Sequence, residues 1–146
     1  IAEDIRDVTY YHLLFDRHEV VFANGSATES LYAGPQALKA LSDPTRLRSL
    51  VLIQSEGEVC VCELTFALDE SQPKISRHLA LLRDAGILSP RREGTWIHYS
   101  VTPDLPAWAC RIIEQVHAQL HGLDPFVADR AKLRSMSNRP GENRCA

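Results

Sequence analysis

Two helical patterns that follow each other almost without interruption constrain the fold of this chain more than any other feature. In the first pattern, apolar residues recur at spacings of three and four: Val61, Leu64 and Leu68. In the second, the same spacings form one inward stripe: Ile75, Leu79 and Leu82. A tight turn at residues 69–70 separates the two, Ser71 is a suitable N-cap for the second helix, and Gly86 ends it. The segment predicts two short packed helices, a helix-turn-helix.

The flanking segments complete a larger unit at residues 36–123. Helical periodicity begins at Gln36, and a further helix begins at Asp43, an N-cap residue followed by Pro44 at the first helical position. The later elements are strands at 87–92 and 95–101, joined by a turn at 93–94, and a final helix from about 106 to 121. This order predicts a winged helix-turn-helix, a mainly α fold with a small β-wing.

The two ends of the chain differ from this unit. We expect residues 1–35 to form a β-hairpin extension, because 8–15 and 18–23 are rich in β-branched and aromatic residues. Asn24 and Gly25 supply a turn after them, and the polar residues 26–30 cap the hairpin. The tail at 124–146 is polar and has too little apolar surface to order itself, so we expect it to be flexible.

Composition limits the class of protein. With 146 residues, 45% apolar and 24% charged, the chain suits one soluble globular domain plus an extension. A net charge of −3 does not itself indicate a nucleic-acid partner, so any basic surface must be local. No apolar run approaches the roughly 20 residues that span a membrane, and no segment resembles a signal peptide. The four unevenly spaced cysteines are therefore expected to be reduced thiols in the cytoplasm. The first residue is Ile1 rather than Met, which indicates a fragment or a trimmed chain.

The second helix of the helix-turn-helix carries polar and basic side chains beside its apolar stripe. These residues are Gln72, Lys74, Ser76, Arg77 and His78. A recognition helix needs such side chains, because glutamine reads adenine edges and arginine reads guanine or binds phosphate. A solvated polar face is the alternative interpretation. The tight turn before the helix, and the Arg91–Arg92 pair beside the tip of the following hairpin, favour binding to double-stranded operator DNA.

A single helix-turn-helix reads too few bases to be selective. We therefore expect a two-fold dimer that spans half-sites about one helical turn of DNA apart. The final helix provides an apolar surface for this homodimer, consisting of Trp108, Ile112, Ile113, Val116 and Leu120.

Cys60 and Cys62 form a CxC pair at the start of the first helix of the helix-turn-helix. Two small buried hydrophobic residues are the alternative interpretation, because free cysteine is commonly buried. Thiolates are soft donors and favour thiophilic ions over Mg²⁺ or Ca²⁺. Residues i and i+2 on a regular helix point about 200° apart, so joint binding of one ion should distort the first helical turn. That distortion would reach the DNA-reading helix, a physical route from ligand to release.

Residues 38–122 resemble the ArsR/SmtB family of metalloregulatory repressors. The matching motifs are residues 40–48 (ALSDPTRLR), 58–64 (EVCVCEL), 71–82 (SQPKISRHLALL), 94–99 (GTWIHY) and 106–108 (PAW). Within the family the chain is similar to the arsenite- and antimonite-responsive branch, which carries thiols on its third helix. The resemblance implies a homodimeric repressor without enzymatic activity or organic cofactor, released from DNA when As(III) or Sb(III) binds Cys60 and Cys62.

The chain departs from that branch at Thr65, where a third cysteine commonly stands. As(III) prefers three thiolates, so the third donor is Cys145, Cys110, an exogenous thiol or nothing; Cys110 also suits a core position. A Cd/Zn-responsive or redox-responsive repressor that uses the same thiols is the alternative, although a CxC disulfide closes only a small strained ring. His117 and His121, at i and i+4, have zinc-ligand spacing but are interpreted as surface histidines.

Residues 6–38 resemble the late strands of intein-like Hint modules. Self-processing by such a module needs an N-terminal nucleophile and a cleavable C-terminal junction, and this segment has neither. We therefore interpret the extension as a fusion remnant without chemistry of its own. A self-processing peptide fused to a helical domain is the alternative function from a different class.

Overall fold

The chain consists of two compact units. A computed structural model describes residues 20–23, 26–29 and 39–140. The units are Ile1–Gly34 and Pro35–Ala146. Their boundary falls where the sequence changes from a strand-like to a helical pattern.

The described part of the first unit is a β-hairpin. Strand β1 (Val20–Ala23) pairs antiparallel with β2 (Ser26–Glu29), and the sequence between them, Asn-Gly, is one that favours two-residue hairpin connections. The sequence indicated a polar cap at 26–30, which is wrong for β2, because cross-strand pairing extends a short polar segment into a strand. The strand expected at 8–15 lies outside the described residues.

The second unit is a winged helix-turn-helix, as the sequence predicts. Its elements in order are α1 (Pro44–Glu56), β3 (Glu58–Cys60), α2 (Val61–Leu68), α3 (Gln72–Asp84), β4 (Leu88–Glu93), β5 (Trp96–Val101), α4 (Ala107–Leu120) and α5 (Phe126–Arg134). Helices α2 and α3 form the helix-turn-helix, and β4 and β5 form the wing. Among the described residues, no helix combines the length and the hydropathy that a membrane span requires.

Local signals determine where the first helices begin and end. The Asp43 side chain caps α1 by accepting a hydrogen bond from the Arg46 amide at 3.0 Å, and Pro44 occupies the first turn. Gly57 ends α1 with a φ of 81°, which glycine adopts without steric cost. Asp69 ends α2 in the left-handed conformation, with a φ of 58°, and so redirects the chain into α3.

The three strands form one antiparallel sheet in the order β3-β5-β4. Cys60 of β3 and Arg91 of β4 both lie opposite His98 of β5. Strand β3 is not visible in the sequence, because three residues are too few to show a strand period. Because Cys60 also caps α2, the pairing of β3 with β5 connects the start of α2 to the wing.

The core lies between α1, α2, α3 and the sheet. Its fully buried side chains include most of the predicted stripes: Leu50, Ile53, Leu64, Ile75, Leu79 and Leu82. Val61, expected on the inward stripe of α2, is only partly buried at the edge of this core. Each fully buried aliphatic side chain contributes about 1.5–3 kcal/mol relative to exposure, so these stripes supply much of the driving force for folding.

Helix α5 lies where the sequence predicted a flexible polar tail. Leu133 is fully buried in the core. The Arg48 Nε and Nη2 atoms donate to the buried Asp129 carboxylate at 2.8 and 2.5 Å, and Arg130 Nε donates to Glu56 at 3.0 Å. The prediction of flexibility is wrong for this helix. Its composition offers little apolar surface, but one buried leucine and the ion pairs to α1 stabilise it against the rest of the unit.

Candidate DNA-binding surface and thiol site

Helix α3 has one buried apolar face and one exposed polar face. Gln72, Ser76 and Arg77 are exposed, and Ser71 occupies the N-cap position without a capping hydrogen bond from its side chain. Lys74 is half-buried, with its Nζ 2.6 Å from Glu70 Oε1. The exposed face therefore carries side chains that are able to hydrogen-bond to base edges and phosphates.

His78 does not belong to that exposed face. Its side chain is 9% exposed, and its Nδ1 lies 3.7 Å from Asp43 Oδ1 without forming a hydrogen bond. Burial lowers the pKa of His78 more than the attraction of Asp43 raises it, and Arg46 and Arg77 lower it further. The assignment of His78 to DNA contact is therefore wrong, because the turn of α3 directs this imidazole against the N-terminus of α1.

The wing carries both predicted arginines, in different surroundings. Arg91 Nε donates to Glu58 Oε1 at 2.7 Å, and its Nη2 donates to Glu93 at 2.7 Å. These two hydrogen bonds raise the pKa of Arg91. Arg92 Nε donates to the Gly94 carbonyl at 3.1 Å. Arg91 thus already has two carboxylate partners, and a DNA phosphate would have to compete with them.

The thiol pair lies at the junction of β3 and α2. Cys60 is the last residue of β3 and the N-cap of α2, with an extended backbone (φ −85°, ψ 165°), and it is fully buried. Cys62 lies in the first turn of α2 and is half-buried. A disulfide joins the two residues, whose Cα atoms are 5.5 Å apart.

This geometry corrects one expectation. Cys60 is not a helical residue, so the 200° separation of positions i and i+2 does not apply, and its extended backbone brings its sulfur to that of Cys62 while α2 stays helical.

Glu63, which sequence reasoning missed, connects the thiol pair to the rest of the domain. Its Oε2 accepts a hydrogen bond from the Cys60 amide at 2.7 Å, and its own amide donates to Cys60 Sγ at 3.4 Å. The spacing Cys-x-x-Glu before an apolar run matches a capping box and was the available signal. Glu63 Oε1 accepts from Arg139 Nε at 2.9 Å, a contact that no local pattern predicts.

The other donors named from the sequence lie in separate surroundings. Thr65 Oγ1 donates to the Val61 carbonyl within α2. Cys110 is half-buried on α4, and its Sγ donates to the Leu105 carbonyl at 3.6 Å. Cys145 lies outside the described residues. Across the described ranges, no three His, Cys, Asp or Glu side chains converge on a point that could hold a metal ion.

The two histidines of α4 stack on each other, with ring centroids 5.0 Å apart. His117 Nε2 lies 2.9 Å from Ser55 Oγ, and His121 Nδ1 lies 3.0 Å from the His117 carbonyl. Burial lowers the pKa of His117, and the neighbouring His121 and Arg130 lower it further. His117 is thus half-buried against α1, and His121 is exposed.

Not every residue of the expected dimer surface on α4 has an exposed side chain. Four of its residues are partly exposed: Trp108, Ile112, Val116 and Leu120. Ile113 is 5% exposed and belongs to the core of the unit. Its assignment to the dimer surface is wrong, because position 113 faces α1 and the core rather than the outer side of α4.

Comparison with known proteins identifies the family. Residues 43–89 match the family described as "Bacterial regulatory protein, arsR family", and residues 1–35 match the Hint domain. The chain is 49% identical over 107 residues to the arsenic resistance transcriptional regulator ArsR2 of Pseudomonas putida, covering 73% of this chain and 90% of the relative. It is 55% identical over 80 residues to the arsenical resistance operon repressor of Escherichia coli, covering 55% of this chain and 68% of that protein.

A solved structure agrees with the fold. HlyU from Vibrio cholerae aligns with a TM-score of 0.54 at 30% identity, covering 60% of this chain and 91% of that chain. The family match, the identity to curated repressors and the winged helix-turn-helix all lead to one assignment. The chain belongs to the ArsR family of bacterial DNA-binding transcriptional repressors, which are not enzymes, and carries a Hint-like segment at its N-terminus.

Proposed function

We propose that this chain is a metalloid-responsive repressor of the cytoplasm, which binds operator DNA as a homodimer and leaves it when As(III) or Sb(III) binds Cys60 and Cys62. The observation that carries the proposal is the position of both sulfurs at the N-terminus of α2, the helix that supports α3. Relatives named as arsenic resistance regulators, 49% and 46% identical to this chain, support the ligand class.

The exposed face of α3 is the proposed reader of the major groove. Gln72, Ser76 and Arg77 are exposed on it, and Lys74 adds positive charge beside them. Arg92 and its neighbour Arg91 on the wing are the proposed phosphate contacts. The partly exposed apolar residues of α4 are the proposed dimer surface: Trp108, Ile112, Val116 and Leu120.

The proposed route from inducer to DNA begins at Cys60. This residue ends β3, caps α2 and lies opposite His98 of the wing strand β5. A metalloid on Cys60 and Cys62 would replace the hydrogen bond that Cys60 Sγ accepts from the Glu63 amide. Cys60 adjoins both α2 and the wing. Binding of a metalloid there would therefore move α2, which packs against the recognition helix α3, and would move the wing at the same time.

The third donor for As(III) is proposed to be Cys145. The last described residues approach the thiol site, since Arg139 donates a hydrogen bond to Glu63, and Glu63 accepts another from the Cys60 amide. Cys110 is the weaker candidate, because its thiol donates to a carbonyl of its own segment.

Operator binding by reduced variants tests this assignment. Cys60→Ser and Cys62→Ser should each bind operator DNA with unchanged affinity and lose release by arsenite, which fluorescence anisotropy of a labelled operator measures. Cys110→Ser is the matched control and should respond like the unmodified chain. If either CxC variant is still released by arsenite at the same midpoint, the inducer site has been assigned to the wrong residues.

A redox response is the second candidate, and the disulfide between Cys60 and Cys62 favours it. Peroxide would take two electrons from the two thiols, so that one disulfide and two water molecules form. Release by peroxide, reversed by dithiothreitol and lost in Cys60→Ser, would support this candidate. Cd(II) and Zn(II) added in the same assay decide whether divalent ions use the thiols.

A further inference from the structure

The segment after α5 returns to the thiol end of α2. Arg139 Nε donates to Glu63 Oε1 at 2.9 Å, and its Nη1 lies 3.4 Å from Glu56 Oε2. The Arg139, Glu63 and Glu56 side chains are only 13%, 2% and 14% exposed. Two carboxylates therefore hold this long cationic side chain in one place, largely out of water.

Glu63 has two partners, one for each carboxylate oxygen. Its Oε1 accepts from Arg139, while its Oε2 accepts from the Cys60 amide at 2.7 Å. Two hydrogen bonds therefore connect the guanidinium to the backbone of the first thiol residue. Charge-assisted hydrogen bonds are roughly twice as strong as neutral ones, so Arg139 fixes the orientation of the carboxylate that holds Cys60.

Without Arg139, the buried carboxylate of Glu63 would lack its cation. A buried charge that loses its partner is strongly destabilising, and the side chain avoids this cost by turning toward water. That rotation would break the hydrogen bond from the Cys60 amide, because the same carboxylate accepts it. The start of α2, which carries both thiols, would then lose the contact that fixes its backbone.

The rest of α2 is held by different contacts. Leu64 and Leu68 are buried in the same core as Ile75 and Leu79 of α3. The packing of α2 against the recognition helix therefore does not depend on Arg139. Loss of the arginine should loosen the thiols and leave the DNA-binding unit intact.

We infer that Arg139 is a positioning residue for inducer binding: through Glu63 it holds the Cys60 backbone, so that the two thiols are arranged in advance for one thiophilic ligand. The inference rests on the function proposed above and adds a residue to its site. Groups that are already in place bind more tightly, because less conformational freedom is lost on binding. Residues that orient metal ligands usually contribute about 10- to 100-fold in affinity.

Phenylarsine oxide is the probe, because it needs only two thiolates. As PhAs(OH)₂ it exchanges two hydroxyls for the Cys60 and Cys62 sulfurs. Two As–O bonds break, two As–S bonds form, and the two thiol protons leave in two water molecules. The compound is titrated into the reduced full-length chain on a labelled operator, and fluorescence anisotropy gives the midpoint of release. Operator affinity is measured separately, before the compound is added.

For Arg139→Ala, the midpoint of release should rise by about 10- to 100-fold, while operator affinity without the compound stays unchanged. Arg139→Lys should restore part of the response, because it keeps the charge but not the planar fork of the guanidinium. Arg130→Ala is the matched control, because it removes an arginine–Glu56 pair from α5 without touching Glu63, and its midpoint should not move.

Two further measurements test whether Arg139 acts through Glu63. Hydrogen exchange of the Cys60 amide, in the reduced chain without any arsenical, should be faster in Arg139→Ala than in Arg130→Ala, because its acceptor has turned away. In a Glu63→Gln background, adding Arg139→Ala should raise the midpoint little further, since residues that act through one contact are not additive. Equal exchange rates, or two independent effects that multiply, would contradict the inference.

The outcomes distinguish this inference from the proposed function. If phenylarsine oxide does not release the unmodified chain, or releases Cys60→Ser at the same midpoint, the proposed function fails. If the unmodified chain responds and Cys60→Ser does not, the function stands. In that case, an unchanged midpoint in Arg139→Ala, or an equal loss of operator affinity, overturns only the role of Arg139.

Discussion

Arg77 and His78 are neighbours on α3 with opposite environments. One residue of helix rotates the side-chain direction by about 100°, which turns Arg77 to the exposed face and His78 against Asp43. The sequence shows both as polar residues beside the apolar stripe. Which of the two is buried depends on the position of α1, and residue type does not reveal that position.

Arg77→Ala should weaken operator binding and lower its dependence on salt. If Arg77 neutralises one phosphate, its loss reduces the slope of log affinity against log salt by about 1. Anisotropy titrations at several salt concentrations measure that slope. Arg83→Ala is the matched control, because Arg83 lies near the end of α3 and pairs with Asp84 at 2.8 Å. Equal salt slopes in the two variants would show that Arg77 does not contact a phosphate, and that the proposed DNA-binding face of α3 is wrong.

At the scale of elements, α5 ties the end of the domain to α1 and α2. Arg48 binds Asp129, and Lys132 Nζ lies 3.3 Å from Asp69 at the end of α2. The Lys132 ammonium also lies 5.7 Å from the centre of the Phe66 ring, a cation–π contact on α2. Most of these ion pairs are partly exposed, so each contributes at most about 1 kcal/mol, and the buried Leu133 contributes more.

Leu133→Ala should therefore lower the free energy of unfolding by about 2–5 kcal/mol, the usual cost of truncating a fully buried leucine. Urea unfolding followed by circular dichroism measures the change. Leu123→Ala, at a position 55% exposed between α4 and α5, is the matched control and should change stability by less than about 0.5 kcal/mol. Similar losses in both variants would mean that α5 does not pack on the core.

At the scale of the whole molecule, the chain combines a Hint-like segment and a repressor as separate compact units. The arsR family match begins at residue 43, and the relative ArsR2 covers 73% of this chain. Every residue that the proposed function uses lies within the second unit, Pro35–Ala146.

Deleting residues 1–35 should leave dimerisation, operator affinity and the arsenite response intact. It should also raise solubility, because the described hairpin pairs only two strands among the described residues, and edge strands promote pairing with other chains. Sedimentation and operator anisotropy of the truncated and full chains measure both effects. A truncated chain that no longer dimerises or binds operator would show that the Hint-like segment has become part of the repressor.

Short-range signals determined most of the winged helix-turn-helix. Asp43 with Pro44, Gly57 and the apolar spacing of α3 each act through bonds or contacts within a few residues, so they are visible in the sequence itself. The CxC pair and its link to a DNA-reading helix were visible for the same reason. Both the fold class and the family followed from these local patterns.

Long-range contacts decided the rest, and only the tertiary structure contains them. Cys60 is extended because β3 pairs with β5 almost forty residues later, and this pairing brings the two sulfurs together. His78 is buried because it packs against the start of α1, and α5 is ordered because Asp129 pairs with Arg48 and Leu133 packs into the core. Each of these outcomes depends on a partner distant in sequence, whose position is determined only when the chain has folded.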